Sequence, residues 1–349
     1  MNLNDLLNHT SEWLKGTGPN SDIVISSRIR LARNLDKLAF PHWSNKKESE
    51  EVLEAIKDAI TKVDYLKQSS FFKLADLDSL DRQFLVERHL MSLEHAQKTN
   101  HKAIVIDDEE IISIMINEED HIRMQVMQSG FNLFEAWNII NKIDDCLAKE
   151  LSFAFLPDWG YLTACPTNTG TGLRGSVMLH LPALVMTRHI DRVLAAIAKL
   201  SFTTRGLYGE GTQATGNFFQ ISNQVSLGHS EGEIIENING LLRQIIEQEN
   251  QARDAILSKN KAALEDRVNR SFGILKNAHI ISSQETIELL SMVRLGSDLG
   301  LIKDIDGRSI NELFIVTQPA HLQKIENKKL SSQERDIKRA GLIRDKLNL

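Results

Sequence analysis

The segment Gly170-Thr171-Gly172-Leu173-Arg174-Gly175 matches G-x-G-x-x-G, and the strand pattern immediately after it limits the fold more than any other stretch of the chain. A dinucleotide fingerprint needs a helix after the glycines, because the helix N-terminus receives the pyrophosphate. Here Val177, Leu179 and Leu181 alternate with Ser176, Met178 and His180, the period of a strand. A doubly wound dinucleotide fold is therefore excluded at this loop. A Walker loop is excluded as well, since the glycines do not lead into Gly-Lys-Ser/Thr. The loop carries Arg174 instead, whose planar fork binds oxygens in pairs.

Other strand patterns lie close together in sequence. Ala103–Ile106 and Ile111–Ile116 are apolar runs joined by a polar DDEE turn, and Ile122, Met124 and Val126 alternate with polar residues. Ile23–Ile25 runs as a strand into Ser26-Ser27-Arg28-Ile29-Arg30, and Phe218–Ser222 and Val225–Leu227 read as the last strands. Helical spacing marks residues 47–60, 78–92, 132–150 and 190–200. After Gly228 the character changes. Ser230…Glu233 and Ser282…Glu285 have the spacing of N-terminal caps, Gly296 marks a helix end, and Pro319 suits a first helical turn. The expected fold is α+β: an antiparallel sheet surrounded by helices in residues 1–250, then a mostly α-helical domain in 251–349.

A net charge of −6 argues against general nucleic-acid binding, so any anion site must be a local cluster of arginines. Two cysteines, Cys146 and Cys165, are too few for a disulfide framework. No signal peptide and no apolar run of membrane-spanning length are seen, so the expected location is cytoplasmic.

Four constellations can carry chemistry. Glu118-Glu119-Asp120 places three carboxylates in a row, which repel unless a cation is near; the plain alternative is a solvated turn. No metal-ligand spacing accompanies them. Arg28 and Arg30 share one face of a strand, unfavourably without an anion; the alternative is an edge strand with exposed charges. Arg205 and Glu210 stand in a glycine-rich loop, and Cys165 precedes Pro166 at the start of the Gly170 loop. That cysteine is either a small buried hydrophobe or a thiolate favoured by arginines.

Together and in order, SSRIRLARN, NEEDHIR, CPTNTGTGLRGSV and RGLYGEGTQATGNFFQISNQVSLG resemble the successive blocks of the phosphagen (guanidino) kinase family over roughly residues 20–250. The resemblance implies transfer of the γ-phosphoryl of Mg²⁺-ATP to a guanidinium nitrogen. It implies that Arg28, Arg30, Arg123, Arg174 and Arg205, with Ser27, hold the phosphates, and that His89 lies on the adenine side. Glu119 and Glu210 correspond to the guanidinium-binding carboxylates, Glu119 as the base; Cys165 corresponds to the active-site thiolate, with Asp120 in support. A guanidinium has a pKa above about 12 and is a poor nucleophile until something orients it and takes its proton.

Two departures narrow the expectation. The helical domain that precedes the first block in the small-guanidine kinases is missing, and Met178 replaces a usual histidine. An open substrate side with an added helical domain is similar to the bacterial protein-arginine kinase branch, whose substrates are arginine side chains in proteins. Arg335-Asp336-Ile337-Lys338-Arg339-Ala340 resembles that branch's RDxxRA phosphoarginine-binding element, with Arg335, Asp336, Arg339 and Ala340 as its residues. By the same resemblance the partners are a CtsR-type stress repressor, a zinc-binding McsA-type activator, a Clp protease that degrades the marked proteins, and a second copy in a homodimer. The alternatives are a small-guanidine kinase, disfavoured by the missing domain, and a non-catalytic phosphoarginine adaptor, disfavoured by the complete site set.

Overall fold

A computed structural model describes residues 3–206, 215–303 and 305–347. Strand β1 (Val24–Arg33) runs through the middle of the molecule. Helix α1 (Lys46–Lys62) comes next, opened by an Asn45–Glu48 capping box. Then come β2 (Ser70–Lys73), α2 (Ser79–Glu87), α3 (Leu93–Gln97), β3 (Ala103–Ile106), β4 (Ile112–Ile116), β5 (Ile122–Ser129) and α4 (Leu133–Glu150). The small hairpin β6 (Phe155–Leu156) and β7 (Gly160–Tyr161) precedes β8 (Leu173–His180), α5 (Pro182–Met186), α6 (Ile190–Lys199), β9 (Phe202–Arg205) and β10 (Phe218–Asn223). The helical part is α7 (Glu231–Asn277), α8 (Ser283–Asp298), α9 (Gly307–Val316), α10 (Pro319–Ile325) and α11 (Ser332–Leu347).

Eight strands form one sheet in the order β2-β3-β4-β5-β1-β8-β10-β9. Every pairing in it is antiparallel. β1 is therefore central, between β5 and β8, and Arg28 and Arg30 are not on an edge. One face of the sheet is apolar: Ile29, Leu31, Met124, Val126, Val177, Leu179 and Ile221 are buried against α4 and α7. At about 25 cal/mol per Å² of apolar area removed from water, this layer supplies the main driving force that holds the sheet in place.

The helical part is welded to the sheet. Ser230 and Glu233 form the capping box that opens α7. Phe218 of β10 packs edge-to-face on Phe314 of α9, with ring centroids 4.8 Å apart. His180 at the end of β8 meets Ser291 Oγ at 2.8 Å. Glu249 of α7 accepts the Ala183 and Leu184 N–H groups that open α5, at 3.0 and 2.9 Å. Glu87 of α2 does the same for α10, accepting from Ala320 N and His321 N.

Several sequence expectations are corrected. β2 and β9 carry too little apolar alternation to be read, and both are outer strands with half-buried side chains. Val225–Leu227 is not a strand, because β10 ends at Asn223. Residues 78–92 do not form one helix; α2 stops at Glu87 and His89 takes φ +60°. Gly296 does not end its helix. α8 continues to Asp298, and a Cβ at Gly296 would lie 2.3 Å from Val268 Cγ1. That glycine is a close-packing point between α7 and α8.

Candidate active site

The strand register gathers the arginines. Directly opposed residues of antiparallel strands project from the same face. Arg28 lies opposite Met127 and Ser176, Arg30 opposite Gln125 and Arg174, and Ala32 opposite Arg123. Ser26 pairs with Met178, Met178 with Gln220, and Gln220 with Arg205. Arg28, Arg30, Arg123, Arg174 and Arg205 therefore stand on one face, the one that α4 and α7 leave uncovered. Ser27 has the opposite parity. It is fully buried, donates to Gly130 O at 2.8 Å and accepts from Asn132 N at 3.0 Å, so it fixes the β5–α4 turn and does not join the arginines.

Burial and the like charges of Arg123, Arg174 and Arg205 push Arg28 down to about 9. Burial and all four neighbours hold Arg30 well below the usual guanidinium value. Arginine does not give up its proton, so the shifts measure the work of crowding these cations, which a polyanion relieves. Small hydroxyls hold the forks in place. Arg28 Nε donates to Ser176 Oγ at 3.2 Å, and Arg174 donates to Ser222 Oγ and Thr203 Oγ1 at 3.1 Å.

A cleft opens at one end of the row, lined by Trp13, Ser26, Arg28, His89, Met127, Ser176, Met178 and Gln220. Trp13 and His89 meet edge-on with centroids 5.3 Å apart. Burial, with Arg28 beside it, pushes His89 down to about 3, so its ring is neutral. Flat rings and thioethers with a few polar groups are a lining whose chemistry matches the faces and edges of a heteroaromatic base. Met178 forms part of the cleft wall.

At the other end stands the β4–β5 turn. Asn117 takes φ +58° and its amide donates to Ser49 O and His101 O, anchoring the turn. Asn34, just after β1, laces the turn from the side: its amide donates to Asp120 Oδ1 at 2.6 Å and its carbonyl accepts from His121 N at 2.9 Å. The three carboxylates then diverge. Glu118 grips Arg123 Nη1 with both oxygens, at 2.8 and 2.7 Å, and accepts from Ser92 Oγ at 2.6 Å. Burial works against its charge, but Arg123 and these donors hold Glu118 at about 2. Asp120 accepts from Ala164 N at 2.7 Å and so ties down the segment before Cys165. Glu119 is left half-buried, pushed up by burial and by the charges of Asp120 and Glu118.

Cys165 Sγ lies 3.0 Å from Thr167 Oγ1 in a loop pinned by Ser226 Oγ, which donates to Thr167 O and Thr169 O. Gly172 takes φ +67°, and a Cβ there would lie 2.5 Å from Arg33 Nη1 and 2.6 Å from Ala32 O. Arg33 itself is structural: it is buried, bonds Asp144 and the carbonyls of Ala32 and Thr171, and stacks over Tyr161 at 3.5 Å. Glu210 lies outside the described residues. Among the described residues, no group of three or more His, Cys, Asp and Glu side chains is arranged to hold a metal ion.

Sequence reading assigned no role to Glu118, Ser176, Ser222, Trp13 or Asn34. Ser176 is two residues from Arg174, a parity present in the sequence; Ser222 joins them only through the register of β10 with β8, and Trp13 lies in a remote segment with no such signal. In the C-terminal element, Arg339 is buried and donates to Thr317 O and Ile281 O at 2.9 and 2.8 Å, and also to Asp336. Ala340 is buried beside it, while half-buried Arg335 donates to Leu330 O at 2.9 Å. Arg339 therefore joins α11 to the end of α9 and the segment before α8.

Comparisons with known proteins bear on this site. The model of the ATP:guanido phosphotransferase C-terminal catalytic domain matches residues 51–252, and that of the protein-arginine kinase McsB C-terminal domain matches residues 261–349. The chain is 51% identical to the protein-arginine kinase of Halothermothrix orenii over 350 residues, covering 100% of both. It is 48% identical to that of Symbiobacterium thermophilum, again with 100% of both covered. Among solved structures, a duplicated taurocyamine kinase of Schistosoma mansoni with transition-state analogue components aligns with TM-score 0.62 and 26% identity, over 67% of this chain and 34% of that one. A lombricine kinase aligns with TM-score 0.61 and 25% identity, over 72% of this chain and 77% of that one.

Proposed function

The chain belongs to the protein-arginine kinase family of ATP:guanido phosphotransferases, and from that premise we propose that it transfers the γ-phosphoryl of Mg²⁺-ATP to the guanidinium of arginine side chains in proteins. The observation that carries this reading is the row of arginines set by the register of β1, β5 and β8, leading from an aromatic slot to Glu119 beside the Cys165 segment. Trp13, His89 and Met178 would receive the base of ATP, and Arg28, Arg30, Arg123, Arg174 and Arg205 would hold the triphosphate, whose charge magnesium would help to neutralise. Phosphoryl transfer is mainly positioning and stabilisation of spread negative charge, which fixed guanidinium forks provide.

The acceptor guanidinium lies against Glu119; by the family pattern Cys165 and Glu210, the latter outside the described residues, also serve to bind it. As a guanidinium nitrogen attacks the γ-phosphorus, the bond to the bridging oxygen breaks, ADP leaves, and the proton released from nitrogen passes to Glu119. A carboxylate with a raised pKa is better matched to that task than Glu118, which is fixed on Arg123.

The finer reading rests on the family. Residues 1–250 form the phosphotransferase domain and 251–349 a regulatory and dimerisation domain; a break in helical geometry within α7 at Asn260, with φ −139°, lies near that division. The Arg335–Ala340 element is an allosteric phosphoarginine site. The enzyme acts in the cytoplasm in a stress response, marks proteins including a CtsR-type repressor for Clp proteolysis, and is assisted by an McsA-type activator. Among the described residues no helix is long and apolar enough to cross a membrane.

The test offers Mg²⁺-ATP with an unstructured arginine-bearing protein and, separately, free arginine, and monitors phosphorus-31 resonances under non-acidic conditions. The reading expects ADP and an N–P signal on protein. Transfer to free arginine alone would make the enzyme a small-guanidine kinase, and no transfer to either, with its activator supplied, would overturn the reading.

A further inference from the structure

We propose that the rim beside Glu119 and Cys165 is a docking surface for the polypeptide on either side of the target arginine, and that it favours extended segments with apolar or aromatic residues next to that arginine. The inference rests on protein arginine being the acceptor.

Three surface segments carry it. Trp43 is 86% exposed, on the loop whose Phe40 packs edge-on against His121 of the carboxylate turn. Phe155, Leu156 and Trp159 are 54%, 48% and 55% exposed on the β6–β7 hairpin. That hairpin is bonded to Asn34 on both arms: Ala154 N donates to Asn34 O at 2.8 Å, and the Asn34 side-chain amide donates to Leu162 O at 3.1 Å. Val225 and Leu227 are 46% and 40% exposed, flanking the Ser226 that pins the Cys165 loop. Each segment is thus fastened to a residue group that positions Glu119 or Cys165.

Single exposed apolar residues are ordinary, but large ones concentrated about one site mark an interaction surface. Tryptophan is also among the side chains enriched as interface anchors. The chemistry of the site says what the partner is. An extended arginine side chain places its guanidinium about 6–7 Å from its Cα, since each bond spans little more than 1 Å along the chain. With the guanidinium on Glu119, the substrate backbone must run at the level of the rim. Exposed Asp158, between Leu156 and Trp159, adds to the same hairpin a negative charge complementary to a cationic segment. An extended segment can lay its backbone along the rim, with neighbouring side chains resting on the two tryptophans.

The test compares two synthetic peptides of equal charge, each with one central arginine, flanked by leucine and phenylalanine in one and by serine and alanine in the other. The full-length enzyme is used, wild type and Trp43→Ser/Trp159→Ser. The wild type is expected to show kcat/KM about tenfold higher for the apolar-flanked peptide. The double variant should lose that advantage and keep its activity on the polar-flanked peptide. Equal kcat/KM for the two peptides with wild type, or a preference that survives in the double variant, overturns the docking proposal and leaves arginine phosphorylation standing. A change in sedimentation of the double variant assigns the rim to contact between copies and also overturns it. If no arginine substrate is phosphorylated, the functional reading beneath it fails first.

Discussion

Glu118 and Glu119 are chain neighbours with opposite electrostatic fates. Arg123 and two kinds of donor hold Glu118 ionised, whereas burial and two adjacent carboxylates raise Glu119. If Glu119 is the base, kcat/KM must fall with decreasing pH as Glu119 takes up a proton, and this acid limb should lie above the ordinary carboxylate value of 4.5. Glu118→Gln removes one of the charges that raise Glu119, so the acid limb should move to lower pH; an unmoved limb would place the titrating group elsewhere. The same variant leaves Arg123 without its carboxylate. Losing one partner of a buried pair costs about 3 kcal/mol, and thermal unfolding should show a lower Tm that bound ATP partly restores by supplying the missing negative charge. The NEED run was legible as a cluster in the sequence. Which carboxylate grips an arginine was not, because that depends on a turn closed by Asn117 and laced by Asn34 from just beyond the end of β1.

At the scale of elements, the strands that read cleanly are those with one fully apolar face, β1, β3, β4, β5, β8 and β10, and the helices that read cleanly, α1, α4, α6 and α7, each bury a stripe of apolar residues at helical spacing. The misses share a physical cause. β2 and β9 bury little, and the break after α2 is set by contacts to remote segments: His89 O accepts from Gln125, and Arg88 is held by Glu110 and Ser11. Gly172→Ala tests the loop before β8. It forces a side chain into a left-handed backbone and against Arg33, and should lower stability by about 2 kcal/mol or more in chemical denaturation, with reduced activity because Arg174 lies two residues on. Glu87, which caps α10, is pushed up to about 7 by burial, against the pull of its backbone donors and of Arg339 and Arg335. His321 stays neutral, donating from Nδ1 to Glu87 while Nε2 faces Arg88. Because Glu87 binds a proton more tightly in the folded state than its unfolded value of 4.5 allows, its contribution is complete below about pH 4.5 and is lost as pH rises through 7. Its size is on the order of 3 kcal/mol. Unfolding free energies of wild type and Glu87→Gln across that window should converge at low pH and separate as the wild type loses stability; parallel curves would contradict this assignment.

At the scale of the molecule, a chain of net charge −6 concentrates five arginines on one sheet face, and that contrast marks the site more sharply than any single motif. The order of the site was latent in the sequence blocks, since each arginine sits on a strand with a common parity. The slot at its far end was not, because Trp13 and Met127 come from segments with no motif and meet only through the fold. The separation of roles along this line is the central claim: arginines hold the nucleotide, and Glu119 at the end of the row takes the proton. One experiment addresses it directly, namely Mg²⁺-ATP affinity by calorimetry and phosphoryl transfer to a protein arginine, measured side by side for wild type and Glu119→Gln. Nucleotide affinity should stay within about twofold while transfer falls by about 10²-fold or more, the usual effect of losing a general base. Transfer that survives the substitution, or a loss of nucleotide binding in proportion to the loss of transfer, would contradict the account.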